Sequence, residues 1–271
     1  MRVGTSAPMM VIPDRRPGSD LMALHANDIE DVLDILGGIV ADTTLVHDRR
    51  GYFAALYRQV TLEVQKGIAV GIFDDGPRMS AFDAAFANRY FTAYESKPAP
   101  TRSWRVTFDA IDNTPLIVLQ NLLLGINAHI NLDLAVVTGT LFHGADLTDF
   151  HADFDRLNDI LADLIPKVRE TIEDFSPLLD IMGPIGDGLD PILDFSVEKA
   201  RDSAWSAATL ISLQNQETRP LLIRHIDYGT SRLGQLIARP TEPAATWIRL
   251  IRRTESKNVP AIITALDGIV Q

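Results

Sequence analysis

The sequence predicts an all-α fold, a single-domain multi-helix bundle with a central buried polar helix. Three observations carry this reading. Apolar residues recur at the 3.6-residue helical period over many long segments. No run of strict alternation is long enough to make a strand. The most apolar stretch, 116–138, is long enough to cross a bilayer, yet it contains Gln120, Asn121, Asn127, His129, Asn131 and Asp133. That polar content fits a helix buried inside a soluble protein rather than one in lipid.

Taken in order, residues 1–18 read as a flexible N-terminal arm and 19–271 as one helical domain. Ser19 and Asp20 can cap a first helix running to Leu36, where Gly37-Gly38 stops it. A second helix spans 52–70, between Gly51 and Gly71. Asp74-Asp75-Gly76-Pro77 is a turn that places Pro77 in the first turn of a third helix, 78–95. After a proline-rich linker, 101–111 is a short helix, and Asn113-Thr114-Pro115 opens the apolar one. Residues 147–175 form a long amphipathic helix containing Pro166, and 183–191 a Gly/Pro/Asp loop. Three helices follow, 191–215, 217–238 and 242–270, the last broken near Pro260.

Composition narrows function. The chain of 271 residues is 46% hydrophobic and 23% charged, which is globular rather than disordered. A net charge of −11 argues against nucleic acid and against an anionic membrane surface as partners. There is no cysteine, so disulfides, thiolate metal sites and cysteine nucleophiles are excluded. Any metal must be held by His, Asp, Glu, Asn or Gln, donors that suit iron or manganese. The N-terminus lacks a sustained apolar region, so no signal peptide is expected, and a cytoplasmic location follows.

The chemistry concentrates on 120–133. His129 and Asp133 stand four apart on one helix face, where an imidazole and a carboxylate can reach one metal or share a hydrogen bond in a structural network. Gln120, Asn127 and Asn131 form a second stripe opposite His129, expected to tie the helix to its neighbours through buried hydrogen bonds. Glu198 and Asp202 are another pair four apart, either ligands beside Phe195, Ala204 and Trp205 or a solvated face with Lys199 and Arg201. Asp83, in a run rich in Ala and Phe, is a ligand or the partner of an arginine such as Arg89. Asp109, beside Trp104 and Phe108, has the same two readings. His151 and Asp155 lie on a strongly charged face and are weaker candidates. The di-iron Glu-x-x-His pattern, HExxH, the Walker A loop, the nucleophile elbow and the dinucleotide fingerprint are all absent.

Several runs together resemble a known family: GYFAALYRQVT (51–61), FDDGPRM (73–79), FANRY (86–90), RSWRVTFDA (102–110), LLLGINAHINLDL (122–134) and the segment 198–205. They cover most of 50–205, and the tail after 215 matches weakly. The resemblance is to a bacterial family of unknown function that is similar to the non-haem di-iron monooxygenases of ent-kaurane and ent-atisane diterpenoid biosynthesis, of the platensimycin and platencin type. It implies an all-helical fold, two iron ions, O₂ as co-substrate, an external electron donor and hydroxylation of a bulky apolar, diterpenoid-type substrate. The sequence departs from that pattern at Asn121, where many relatives in the resembled family carry His. On this reading His129 and Asp133 are expected as metal ligands, with Glu198, Asp202, Asp83 or Asp109 supplying further oxygens. Two alternatives stay open: a metal-dependent hydrolase using the same residues to activate water, and a non-catalytic helical module that binds an apolar ligand.

Overall fold

Capping residues set where the helices begin. In the computed structural model, which describes residues 23–179 and 197–270, α1 (Ile29–Leu45) starts behind Asp28, whose carboxylate accepts the Asp31 amide. Helix α2 (Gly51–Val70) ends at Gly71, in the left-handed conformation that glycine adopts without a Cβ clash. Helix α3 (Gly76–Glu95) is capped by Asp75 and carries Pro77 in its first turn, and α4 (Arg102–Asn113) is capped by Thr101. These side-chain oxygens satisfy amides that have no partner within the helix. There follow α5 (Val118–Ala128), a π-helical turn (His129–Leu134), α6 (Ala135–Leu141), α7 (Ala145–Phe175), α8 (Val197–Ser212), α9 (Arg219–Ala238), α10 (Ala244–Thr254) and α11 (Val259–Leu266). Every regular element among the described residues is a helix, so the all-α reading holds.

The first helix differs from expectation. Residues 23–28 are not helical, Ser19 and Asp20 lie outside the described residues, and α1 runs straight through Gly37-Gly38 to Leu45. Two interior glycines cost roughly 2 kcal/mol of helix propensity. The face bearing Val32, Leu36, Ile39 and Val40 is buried against the bundle, and that burial outweighs the cost. The break expected near Pro260 falls just before it: residues 255–258 separate α10 from α11, and Pro260 lies in the first turn of α11. The 183–191 loop lies outside the described residues.

The apolar stretch forms one continuous helical rod, Val118–Leu141, with 83% of its most apolar window buried inside the protein. Helices α2, α3, α4, α8 and α9 pack around it. Two glycines permit the closest approaches. A Cβ at Gly125 would lie 2.4 Å from the Phe53 ring of α2, and one at Gly139 would lie 2.5 Å from the Ala208 carbonyl oxygen of α8. The second contact is with backbone, which cannot swing aside. Gly139→Ala should therefore push α6 and α8 apart and cost about 1–3 kcal/mol. Thermal denaturation checks this; a melting temperature equal to wild type would show that α8 is not held this tightly.

The amide stripe does what its spacing suggests. Gln120 donates to the Ile237 carbonyl at 2.6 Å and Asn127 to the Thr230 carbonyl at 3.0 Å, both on α9. Asn131 donates to the Asn127 side-chain oxygen at 3.0 Å. The stripe thus fastens the central rod to α9, leaving the opposite edge, with His129, to face α2 and α3.

A buried imidazole on an apolar cavity

The central rod changes its hydrogen-bond register at the residues of chemical interest. His129–Leu134 is a π-helical turn, a local widening found often at functional sites. His129 and Asp133 remain in contact across it, with Nδ1 and Oδ2 3.1 Å apart. Asp133 holds two more donors: Arg89 Nε at 2.7 Å on Oδ1 and Trp104 Nε1 at 2.8 Å on Oδ2. The carboxylate is 1% exposed. Burial alone would raise its pKa, but the His129 hydrogen bond, the Arg89 charge and the Trp104 donor hold it below the usual carboxylate range. Asp133 is therefore ionised, and the proton between the pair resides on His129 Nδ1. That tautomer leaves a lone pair on Nε2.

Aromatic rings fix the imidazole plane. Phe86 stacks on it with centroids 3.7 Å apart, Tyr57 meets it at 4.7 Å, and Phe53 at 5.8 Å. Burial pushes the imidazole pKa down, and the Asp133 hydrogen bond only partly opposes that, so the ring is neutral at neutral pH. Nε2 is buried and has no hydrogen-bond partner.

His129 lines a cavity of about 920 Å³, walled largely by apolar side chains such as Phe82, Leu122, Ile126, Ile130 and Leu164. That volume suits a drug-sized or larger apolar molecule. Three further cavity-lining residues carry buried atoms without a partner, the Tyr57 hydroxyl, Asp83 Oδ2 and Arg201 Nη1. Burial raises the Asp83 carboxyl to about 7. The Tyr57 hydroxyl is pushed far up by burial, with the nearby Asp83 and Asp133 charges adding to the effect. An unpartnered buried polar atom costs about 1–3 kcal/mol, and four on one cavity are a concentration that packing alone does not require.

The residues expected as ligands do not converge. Arg89 is the partner of Asp133, not of Asp83. With a guanidinium on one oxygen and two N–H donors on the other, Asp133 has both oxygens engaged by protein donors. Asp109 is exposed on the outer side of α4, where its carbonyl, not its carboxylate, accepts from Asn113. Glu198 and Asp202 are exposed on α8, at the cavity rim. His151 and Asp155 are exposed, 3.7 Å apart. Among the described residues, no three His, Asp or Glu side chains come together to hold a metal ion. A di-iron carboxylate centre of the four-helix type takes about six protein donors. The buried site offers one free imidazole nitrogen and one free carboxyl, so the described residues do not fit two irons. Asn121 donates to the Ile117 carbonyl and lines a different, smaller cavity of about 390 Å³, beside Arg49 and Glu255. The departure at that position therefore stands outside the His129 cavity.

Tyr57, Phe53 and Phe86 escaped the sequence reading as site residues, because aromatic residues at helical spacing signal core. Of the two sequence readings of 198–202, the solvated face does not hold for Arg201, whose burial is legible only as a place on the stripe Arg201-Ala204-Ala208-Ile211, all of it buried.

Together these features define an all-helical protein built around an apolar cavity with a buried, oriented histidine. The chain belongs to the family of unknown function DUF5995, whose model matches residues 29–240. No curated protein and no solved structure matches it.

Proposed function

We propose that this protein is an enzyme that encloses a bulky apolar small molecule and moves a proton on it, with His129 as base and Asp83 as acid. The observation that carries this reading is the pair of buried, unpartnered groups, His129 Nε2 and Asp83 Oδ2, on one apolar cavity. Their environments reverse the ordinary order of protonation. The imidazole, lowered by burial, is the neutral base, while the carboxyl, raised to about 7, keeps its proton in about half of the molecules at neutral pH. Titratable groups driven apart in this way mark acid and base roles. Asp133 fixes the His129 tautomer and stabilises the imidazolium that forms when Nε2 takes a proton. Arg89 and Trp104 hold Asp133 in place. The reaction class is a proton shift: a proton leaves a carbon or hydroxyl of the substrate for Nε2, and Asp83 returns one to another atom. It needs no oxidant, reductant or metal.

A base in an apolar cavity can be read with 5-nitrobenzisoxazole, whose ring opens to a coloured phenolate when one carbon-bound proton is removed. The protein should accelerate this over buffer, and His129→Ala should lower the rate by roughly 10²-fold or more. Full activity in His129→Ala with an intact fold would sink the proposal. The di-iron oxygenase implied by the family resemblance shares the cavity and the class of apolar substrate. It requires metal donors beyond His129 and Asp83. Elemental analysis after anaerobic loading with ferrous ion separates the two readings: two irons per chain would favour the oxygenase.

A further inference from the structure

A buried cation opens onto the same cavity. Arg201, on α8, is 1% exposed and lines the cavity wall. Its guanidinium lies over the Phe154 ring, 4.6 Å from the centroid, and Nη2 donates to the Phe154 carbonyl. Its Nη1 is buried and has no partner. Among the described residues, no carboxylate stands within ion-pair distance of it. The acids that act on it, Asp155, Asp202 and Asp159, are exposed and solvated. Burial lowers its pKa to about 10, which still leaves it charged at neutral pH.

A guanidinium withdrawn from water without a counter-ion is a costly arrangement. Buried charges in proteins are ordinarily paired, and arginine is suited to pairing with carboxylates. Among the described residues the acids on this wall are exposed at its rim and none pairs with the guanidinium, and the rest of the large cavity is mainly apolar, so the missing anion belongs to the occupant. From this we infer that the ligand of the cavity is an amphiphilic acid: a bulky or long apolar body ending in a carboxylate that Arg201 receives. One unpartnered NH₂ group suits a carboxylate better than a phosphate, which seeks several donors. The exposed Asp159, Glu198 and Asp202 at the rim also repel a polyanion. This inference rests on the cavity reading above and names the substrate class for it. Arg201 is a binding residue; the proton chemistry stays with His129 and Asp83.

Calorimetric titration of the full chain at pH 7.5 with dodecanoate and with 1-dodecanol, both below their aggregation limits, tests it. The two probes share an apolar body and differ in charge. Wild type should bind the acid roughly tenfold or more tightly than the alcohol, the scale of one charge-assisted hydrogen bond. Arg201→Gln should abolish that preference and leave alcohol affinity within about threefold, while Arg201→Lys should keep part of it. Equal binding of acid and alcohol by wild type, or a preference that persists in Arg201→Gln, overturns the assignment of Arg201 while the cavity reading stands. Binding of neither probe overturns both. Should Arg201→Gln lose its circular dichroism signature, the wild-type ratio and the Lys variant decide the question unaided.

Discussion

Asp133→Ala is expected to be among the most destabilising single substitutions in this chain, at about 3–5 kcal/mol. The carboxylate is shared by Arg89, Trp104 and His129, which belong to α3, α4 and the central rod. Its removal leaves an indole N–H and an imidazole N–H buried without acceptors, and a guanidinium, itself 28% exposed, without its partner. Each loss adds a desolvation cost that no nearby group offsets. Asp133→Asn should be only partly better. An amide presents one oxygen and one NH₂, so whichever way it turns, an N–H donor meets either Arg89 or Trp104. Chemical denaturation should show a midpoint well below wild type for both variants. A midpoint for Asp133→Ala within about 1 kcal/mol of wild type would show that the three helices are not fastened through this carboxylate.

The same hub shapes the acid limb of stability. The folded-state pKa of Asp133 is depressed, so its contribution is present above the unfolded value of 3.8 and is lost as pH falls through the lower folded value. His129 is also depressed in the folded state. Below its unfolded value of 6.5 the unfolded chain takes up a proton that the folded chain refuses, and stability falls with pH there too. Both groups act in the same direction, so acid weakens the fold in two windows: first between 6.5 and the folded His129 value, then below 3.8.

Much of the architecture was legible because it rests on local chemistry. Pro77 in the first turn of α3 and Gly71 after α2 announce their helices in the sequence, and 78–95 and 52–70 were bounded almost correctly from them. The amide stripe Gln120-Asn127-Asn131 could be assigned a structural role because its angular distance from His129 is a property of the helix alone. The failures share one physical cause: partnership between helices is tertiary. Nothing in 78–95 says that Arg89 reaches Asp133 rather than Asp83, although Asp83 lies in the same helix, six residues before Arg89. Asp109 and Glu198 have much the same local company as Asp83, yet they face solvent while Asp83 faces the cavity. Gly37-Gly38 misled for a related reason. Glycine punctuates a helix only where burial does not override it, and α1 buries a complete face. The resemblance to oxygenases drew attention to the right segment, AHINLDL, but not to which of its groups remain free.

Asp83→Asn is expected to do the opposite of Asp133→Ala and stabilise the protein at alkaline pH. Both carboxylates are buried, but among the described residues no cation or donor compensates Asp83, and burial raises its pKa from the ordinary 3.8 to about 7. A folded-state value above the unfolded one means that the folded chain holds a proton the unfolded chain has released. That contribution is fully present below 3.8 and is lost as pH rises through about 7. The interval corresponds to about 4 kcal/mol at most, the cost of keeping an ionised carboxylate in this cavity above pH 7. An amide of the same shape carries no charge and avoids it. Asp83→Asn should therefore match wild type within about 1 kcal/mol near pH 4 and exceed it by about 1–4 kcal/mol at pH 8.5, less whatever the amide loses through imperfect hydrogen bonding. The nitrobenzisoxazole rate at pH 6.5 should fall only modestly, by about tenfold or less, because His129 still removes the proton and Asp83 contributes at most one hydrogen bond to the developing phenolate. Groups kept at a cost to stability are characteristic of functional sites. Urea midpoints across pH 4–9 give the first result and the chromogenic assay the second. If Asp83→Asn instead lowers stability at every pH, the carboxyl has a partner that compensates it, and its place as the acid of this cavity is lost.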